Sequence, residues 1–103
     1  MNLDPVIHTR ARLQMVSRLA TVTEAEFGFI RDGLGLSGSV VSKHASALET
    51  AGYVEIRKGY VGKCPRAWFK LTRQGRRAFD EYVAALQQIV GRPLADTPAE
   101  NDH

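Results

Sequence analysis

Residues Leu36–Val54 read LSGSVVSKHASALETAGYV. Ser37 is a small side chain suited to accept the first free amides of a helix. About four helical turns follow, Gly52 stops them, and Tyr53-Val54 opens a strand. At roughly 100° per residue, Val41, Ala45 and Leu48 share one face. The opposite face carries Ser39, Lys43, Ser46 and Thr50, with Ser42 on its flank, and no acid falls in its first three turns. Small hydroxyls, a cation and little bulk suit a helix that lies in a DNA major groove, where base edges offer donors and acceptors between flanking phosphates. An ordinary solvent-facing helix is the competing reading, although such surfaces are usually richer in Glu and Lys.

Charge placement favours the first reading. The 103 residues carry a formal net charge of +3. Residues 37–77 hold nine Lys/Arg against two acids, a net of +7, which leaves −4 for the rest. A positive segment on a near-neutral chain points to a local polyanion-binding face, with a solvated basic surface as the alternative. The length suits one domain with one modest core. No apolar run approaches the roughly 20 residues that span a bilayer, and MNLDPVIHTR lacks the pattern of a secretory signal. The single cysteine, Cys64, excludes an internal disulfide and fits a reducing cytoplasm.

Upstream, Pro5 to about Ala20 reads as a first helix, capped by Asp4 with Pro5 at its first position. Val6, Leu13, Val16, Leu19 and Ala20 form its apolar stripe, with Ile7 and Met15 beside it. Thr21-Val22 has the composition of a very short strand. Thr23-Glu24-Ala25-Glu26 has the form of a capping box, which predicts a second helix over about 24–33 with Phe27 and Ile30 inward. Gly33 and Gly35 then break it. Helix, glycine-containing turn, and a helix (about 38–51) with a small polar outer face make the helix-turn-helix pattern.

Downstream, residues 53–58 and 66–71 alternate, Val54 and Ile56 facing one way and Ala67, Phe69 and Leu71 facing inward. Between them Gly59–Pro65 reads as a flexible loop. This β-hairpin, about 53–71, carries Arg57, Lys58, Lys63 and Arg66, and a basic hairpin behind such a helix reads as a wing that reaches along phosphates or into the minor groove. Thr72 caps a last helix, about 73–90, in which Phe79, Tyr82, Val83, Leu86, Ile89 and Val90 recur at helical spacing. That stripe is longer than a small core can cover, which predicts a partner. Gly91-Arg92-Pro93 ends it, and residues 92–103 read as a disordered acidic tail. The expected fold is α+β, mostly α: a winged helix-turn-helix over residues 1–91, with a two-to-three-stranded β-wing and a long C-terminal dimerisation helix.

These motifs together resemble the MarR-like winged-helix transcription regulators in a minimal one-domain form. The match runs through Leu36-Ser37, Val41-Ser42-Lys43-His44, Leu48-Glu49-x-Ala51-Gly52-Tyr53-Val54, Lys58-Gly59-Tyr60-Val61-Gly62-Lys63-x-Pro65-Arg66 and Phe69-x-Leu71-Thr72-x-x-Gly75. Pro5 and Arg12-Leu13 also fit, so the resemblance spans about Pro5 to Val90. Val40, Ala45 and Trp68 depart from the family pattern. The resemblance implies a homodimeric regulator of transcription, most simply a repressor, bound to double-stranded DNA. It implies that Ser37, Gly38, Ser39, Ser42, Lys43, His44 and Ser46 serve the groove helix, and Arg57, Lys58, Lys63 and Arg66 the wing. The dimer interface would draw on Val6, Leu13, Phe79, Tyr82, Val83, Leu86, Ile89 and Val90.

Other features weigh little towards chemistry. His44 either meets phosphate or is a hydrogen-bonded partial-core histidine. Cys64 is a thiol switch or incidental. Tyr60 stacks on sugar or base, or braces the turn. His8 and His103 are too isolated for a metal site. No nucleophile–base set, carboxylate pair or phosphate loop indicates an enzyme, a cofactor or an obligate small-molecule ligand. The alternatives to a DNA regulator are a winged-helix protein–protein interaction module, in which only the apolar last helix matters, and a binder of structured RNA.

Overall fold

The chain enters the fold through a single turn held by Asp4. The computed structural model describes residues 3–91. The Asp4 carboxylate accepts the Val6 amide at 2.9 Å and the Tyr53 hydroxyl, while its carbonyl accepts the amides of Ile7 and His8. Thr9 is extended, so the first helix, α1, is Arg10–Leu19 and not a helix from Pro5. The expected start fails because Asp4 caps a turn that is not continued, with Pro5 inside it. The capping box also does not form. Ala25–Glu26 is a strand, β1, and the second helix, α2, is Phe27–Leu34 with Glu26 at its N-cap and no side-chain cap bond. Burial of Ala25 opposite Phe69 outweighs the local cap, and the strand lies three residues beyond Thr21-Val22, which is none.

Gly35 closes α2 in the left-handed region (φ +67), with the Leu36 amide bonded to the Arg31 carbonyl. Ser37 then caps the third helix, α3, Gly38–Thr50, accepting the Val40 amide at 3.2 Å. Gly52 (φ +84) ends α3 in the same way, the Tyr53 amide bonding to the Leu48 carbonyl. Strands β2 (Val54–Val61) and β3 (Cys64–Leu71) pair antiparallel from Val54↔Leu71 to Val61↔Cys64. The expected seven-residue loop is therefore only Gly62-Lys63. Gly62 at φ +64 supplies the positive φ that two-residue hairpin turns need to match strand twist. The sheet order is β1-β3-β2.

The last helix, α4, is Arg73–Val90. Thr72 locks its start to the end of α3, donating to the Gly52 carbonyl at 2.7 Å and accepting the Gly75 amide at 2.9 Å. Gly75 sits so close that a Cβ there would overlap the Tyr53 carbonyl. The core gathers Met15, Val16, Leu19, Ile30, Val41, Leu48, Val54, Phe69 and Leu71. A smaller cluster joins Ile7, Ala78 and Tyr82, where the Tyr82 hydroxyl and His8 Nδ1 lie 2.9 Å apart. The tail from Arg92, including His103, lies outside the described residues. Among the described residues, no helix is long and apolar enough to cross a membrane, and no three metal-ligating side chains converge.

Candidate nucleic-acid interface

Because Val41, Ala45 and Leu48 anchor α3 to the core, its outer face is set by default. Ser37, Ser39, Ser42, Lys43 and Ser46 are all exposed there, and Gly38 lies half-buried over the Phe27 ring. The Ser37 and Ser39 hydroxyls are 3.2 Å apart, so the start of α3 presents a small polar ridge. Ser42, Ser46 and Glu49 form one wall of a groove of about 380 Å³ whose other wall is Ile56, Lys58 and Ala67 of the hairpin. One groove thus separates the helix from the wing, with two serines and the Glu49 carboxylate on the helix side and Lys58 on the wing side.

His44 does not belong to that face. It is 9% exposed, and its Nδ1 accepts a hydrogen bond from Arg12 Nε at 3.0 Å. Burial first, then the Arg12 and Lys43 cations, hold its pKa below the ordinary imidazole value, so it is a neutral acceptor inside the fold. The correction was available from spacing: His44 follows Val41 by three residues and precedes Leu48 by four.

The cations of α3 and the wing divide into two sets. Among the described residues, Lys43, Lys58 and Lys63 have no carboxylate within salt-bridge distance. Arg57 lies 2.7 Å from Glu24 and 4.2 Å over the Trp68 ring, its direct partner across the ladder. Arg66 lies 4.0 Å from Glu26. Lys58 shares the inner face of the sheet with Ile56. Arg57, Trp68 and Arg66 occupy the outer face, opposite the core. Sequence reasoning left Trp68 unplaced and missed both acids. The two-residue turn at Gly62-Lys63, in place of the expected loop over Gly59–Pro65, puts Arg57 opposite Trp68.

The apolar residues expected at a dimer interface also divide. Tyr82 is buried in its own chain, and Val6, Leu13, Phe79 and Leu86 pack against the two clusters. Val83 is half-buried, while Ile89 and Val90 are 56% and 50% exposed near the end of α4. Tyr82 is therefore a core residue and adds nothing to an exposed strip.

The family described as Winged helix DNA-binding domain matches residues 11–90. Uncharacterized protein MJ0432 of Methanocaldococcus jannaschii is 25% identical over 84 residues, covering 82% of this chain and 91% of that protein. The fold is similar to that of a transcriptional regulator homologue from Pyrococcus horikoshii, with TM-score 0.78, 22% identity, and 84% and 85% of the two chains covered. A transcriptional regulator assigned to the MarR family, from Enterococcus faecalis, matches with TM-score 0.72 at 18% identity over 84% and 77%.

Proposed function

We propose, from the premise that the chain belongs to the winged helix DNA-binding domain family, that it is a sequence-specific binder of double-stranded DNA that regulates transcription as a homodimer. The observation that carries this reading is the exposed polar outer face of α3, with Ser39, Ser42, Lys43 and Ser46, beside a groove that Ser42 and Ser46 share with Lys58 of the wing. In this reading Ser39, Ser42 and Ser46 approach base edges in the major groove, and Ser37 and Gly38 place the start of α3 against the backbone. Lys43, Lys58 and Lys63 neutralise phosphates. Arg57 and Arg66 reach the duplex only by leaving Glu24 and Glu26. His44 acts indirectly, by setting α3 on α1 through Arg12.

Pairing of two copies through α4, using Ile89, Val90 and Val83 with Leu13 and Val6 nearby, places two α3 helices about one DNA turn, roughly 34 Å, apart. Such a dimer occupies a pseudo-palindromic site and represses by occlusion, with no catalysis and no small molecule required. The test is selection of bound duplexes from a random pool, followed by anisotropy titration of the selected duplex over a range of salt. Enrichment of an inverted repeat and a steep salt dependence are expected. Absence of duplex binding at low salt overturns the reading. Binding to a protein partner that ignores Lys58→Ala and Lys63→Ala would favour an interaction module instead.

A further inference from the structure

The orientation of α3 depends on polar groups at its back, away from the serine face. Val41, Ala45 and Leu48 share one apolar cluster with Met15, Val16 and Leu19 of α1. Apolar burial is non-directional, so a polar bond adds what burial lacks, a fixed direction. Among the described residues, one side-chain hydrogen bond joins α3 to another helix: Arg12 Nε of α1 donates to His44 Nδ1 at 3.0 Å. The same guanidinium donates to the Val6 carbonyl at 3.4 Å. Directly behind α3, the Tyr53 hydroxyl donates to the Asp4 carboxylate. Arg12 and Asp4 thus hold α3 at its middle and just past its end. Their own segment is fixed to α4, because Ile7 is fully buried with Ala78 and Tyr82, and His8 Nδ1 lies 2.9 Å from the Tyr82 hydroxyl.

We propose that Arg12 and Tyr53 are positioning residues that set which spacing of DNA half-sites the protein accepts. The proposal rests on the dimeric DNA-binding reading above and adds what fixes its geometry. In that reading α4 carries the two-fold pairing, so these tethers relate each α3 to the dimer axis. One base pair added between the half-sites moves them apart by about 3.4 Å and turns one against the other by about 35°. Shared between two subunits, each α3 must shift by about 1.7 Å and turn by about 17°. A hydrogen bond is lost once donor and acceptor part beyond about 3.5 Å, and the Arg12–His44 bond begins at 3.0 Å. A dimer therefore follows the altered spacing only by breaking that bond in both subunits. A bond from a charged donor to a neutral acceptor inside the fold is worth a factor of about ten or more, so the two together make about a hundredfold.

The experiment uses the inverted repeat selected by the wild type, and the same repeat with one base pair added or removed at its centre. For each protein it measures the ratio of the two affinities. Being a ratio, it cancels any loss in the folded fraction. The wild type should bind the altered repeats about a hundredfold more weakly, or worse. Arg12→Met keeps the aliphatic stem and removes the donors, and it should reduce that ratio about tenfold or more. Tyr53→Phe keeps the ring and removes the donor to Asp4, and it should reduce the ratio about threefold or more. His44→Gln still accepts from Arg12 and should keep the wild-type ratio. An undiminished ratio in Arg12→Met or Tyr53→Phe, a wild type indifferent to spacing, or a His44→Gln that behaves like Arg12→Met overturns the positioning role and leaves DNA binding standing. A wild type that binds no duplex overturns both.

Discussion

Lys58→Ala/Lys63→Ala and Arg57→Ala/Arg66→Ala remove the same charge from the same hairpin, yet they should act very differently on DNA binding. The two lysines have no acidic partner among the described residues, whereas the arginines stand 2.7 Å from Glu24 and 4.0 Å from Glu26. Each phosphate neutralised contributes about 0.9 to the slope of log affinity against log salt. Removing both lysines should flatten the slope by about 1.8 per subunit, about 3.6 for the dimer, which amounts to about sixtyfold weaker binding per subunit and about 4,000-fold for the dimer at 0.1 M salt if the lines meet near 1 M. Removing the arginines deletes cations already balanced and exposes two carboxylates. At about 10 Å from phosphate in water, each costs about 0.4 kcal/mol before screening, so the pair weakens binding less than about fourfold per subunit and less than about sixteenfold for the dimer. Stability should change little in either case, since exposed ion pairs contribute about 0–1 kcal/mol. Anisotropy titrations at several salt concentrations supply both numbers. Equal slopes for the two double variants, or a larger loss for the arginine pair, would refute the division of the wing into free and balanced cations.

Three further outcomes follow from the packing. His44 is held neutral with its pKa below 6.5, while the unfolded chain titrates at the ordinary value, so the unfolded state binds more protons in acid. The stabilisation is complete above about pH 6.5 and is lost as pH falls towards the folded value; urea titrations at neutral pH and about pH 5 should show this, and His44→Gln, whose amide oxygen still accepts from Arg12, should flatten the dependence. Gly75→Ala should destabilise by about 1–3 kcal/mol, read as a lower urea midpoint, because the new methyl meets the Tyr53 carbonyl and Leu71 at once and overrides the better helix propensity of alanine. Ile89→Asp/Val90→Asp should convert a dimer to monomers in sedimentation while changing monomer stability by less than about 0.5 kcal/mol per site, since both side chains are exposed.

The parts of the fold that could be read from the chain are those set by neighbouring residues. Ser37 and Thr72 cap α3 and α4 as their positions predict, and Gly52 stops α3 with a positive φ. The inward face Val41, Ala45 and Leu48 follows from helical spacing alone. Two misreadings, the start of α1 and the capping box, share one cause: a distant partner outweighs a local signal. Asp4 is a good helix cap, but its carboxylate is spent on Val6 and on Tyr53, 49 residues away. That bond, with burial, raises the Tyr53 pKa to about 12. Thr23–Glu26 is a good capping box, but Ala25 finds Phe69 and becomes a strand. No window of ten or fifteen residues contains those partners.

The same reasoning governs the electrostatics, where it changes a functional conclusion. A count over residues 37–77 stops short of Glu24 and Glu26, yet β1 carries both acids to the outer face of the hairpin. Including them lowers the net charge of the folded patch from +7 to +5. The loss falls entirely on one face, since the acids meet Arg57 and Arg66 and leave Lys58, on the inner face beside α3, untouched. Total charge fell modestly, and the cations without a carboxylate partner that remain on the hairpin are Lys58, Lys63 and Lys70, among the described residues. On the proposed reading the phosphates therefore meet Lys58 and Lys63 first, while on the outer face Arg57 stacks over Trp68 and pairs with Glu24, which braces the hairpin.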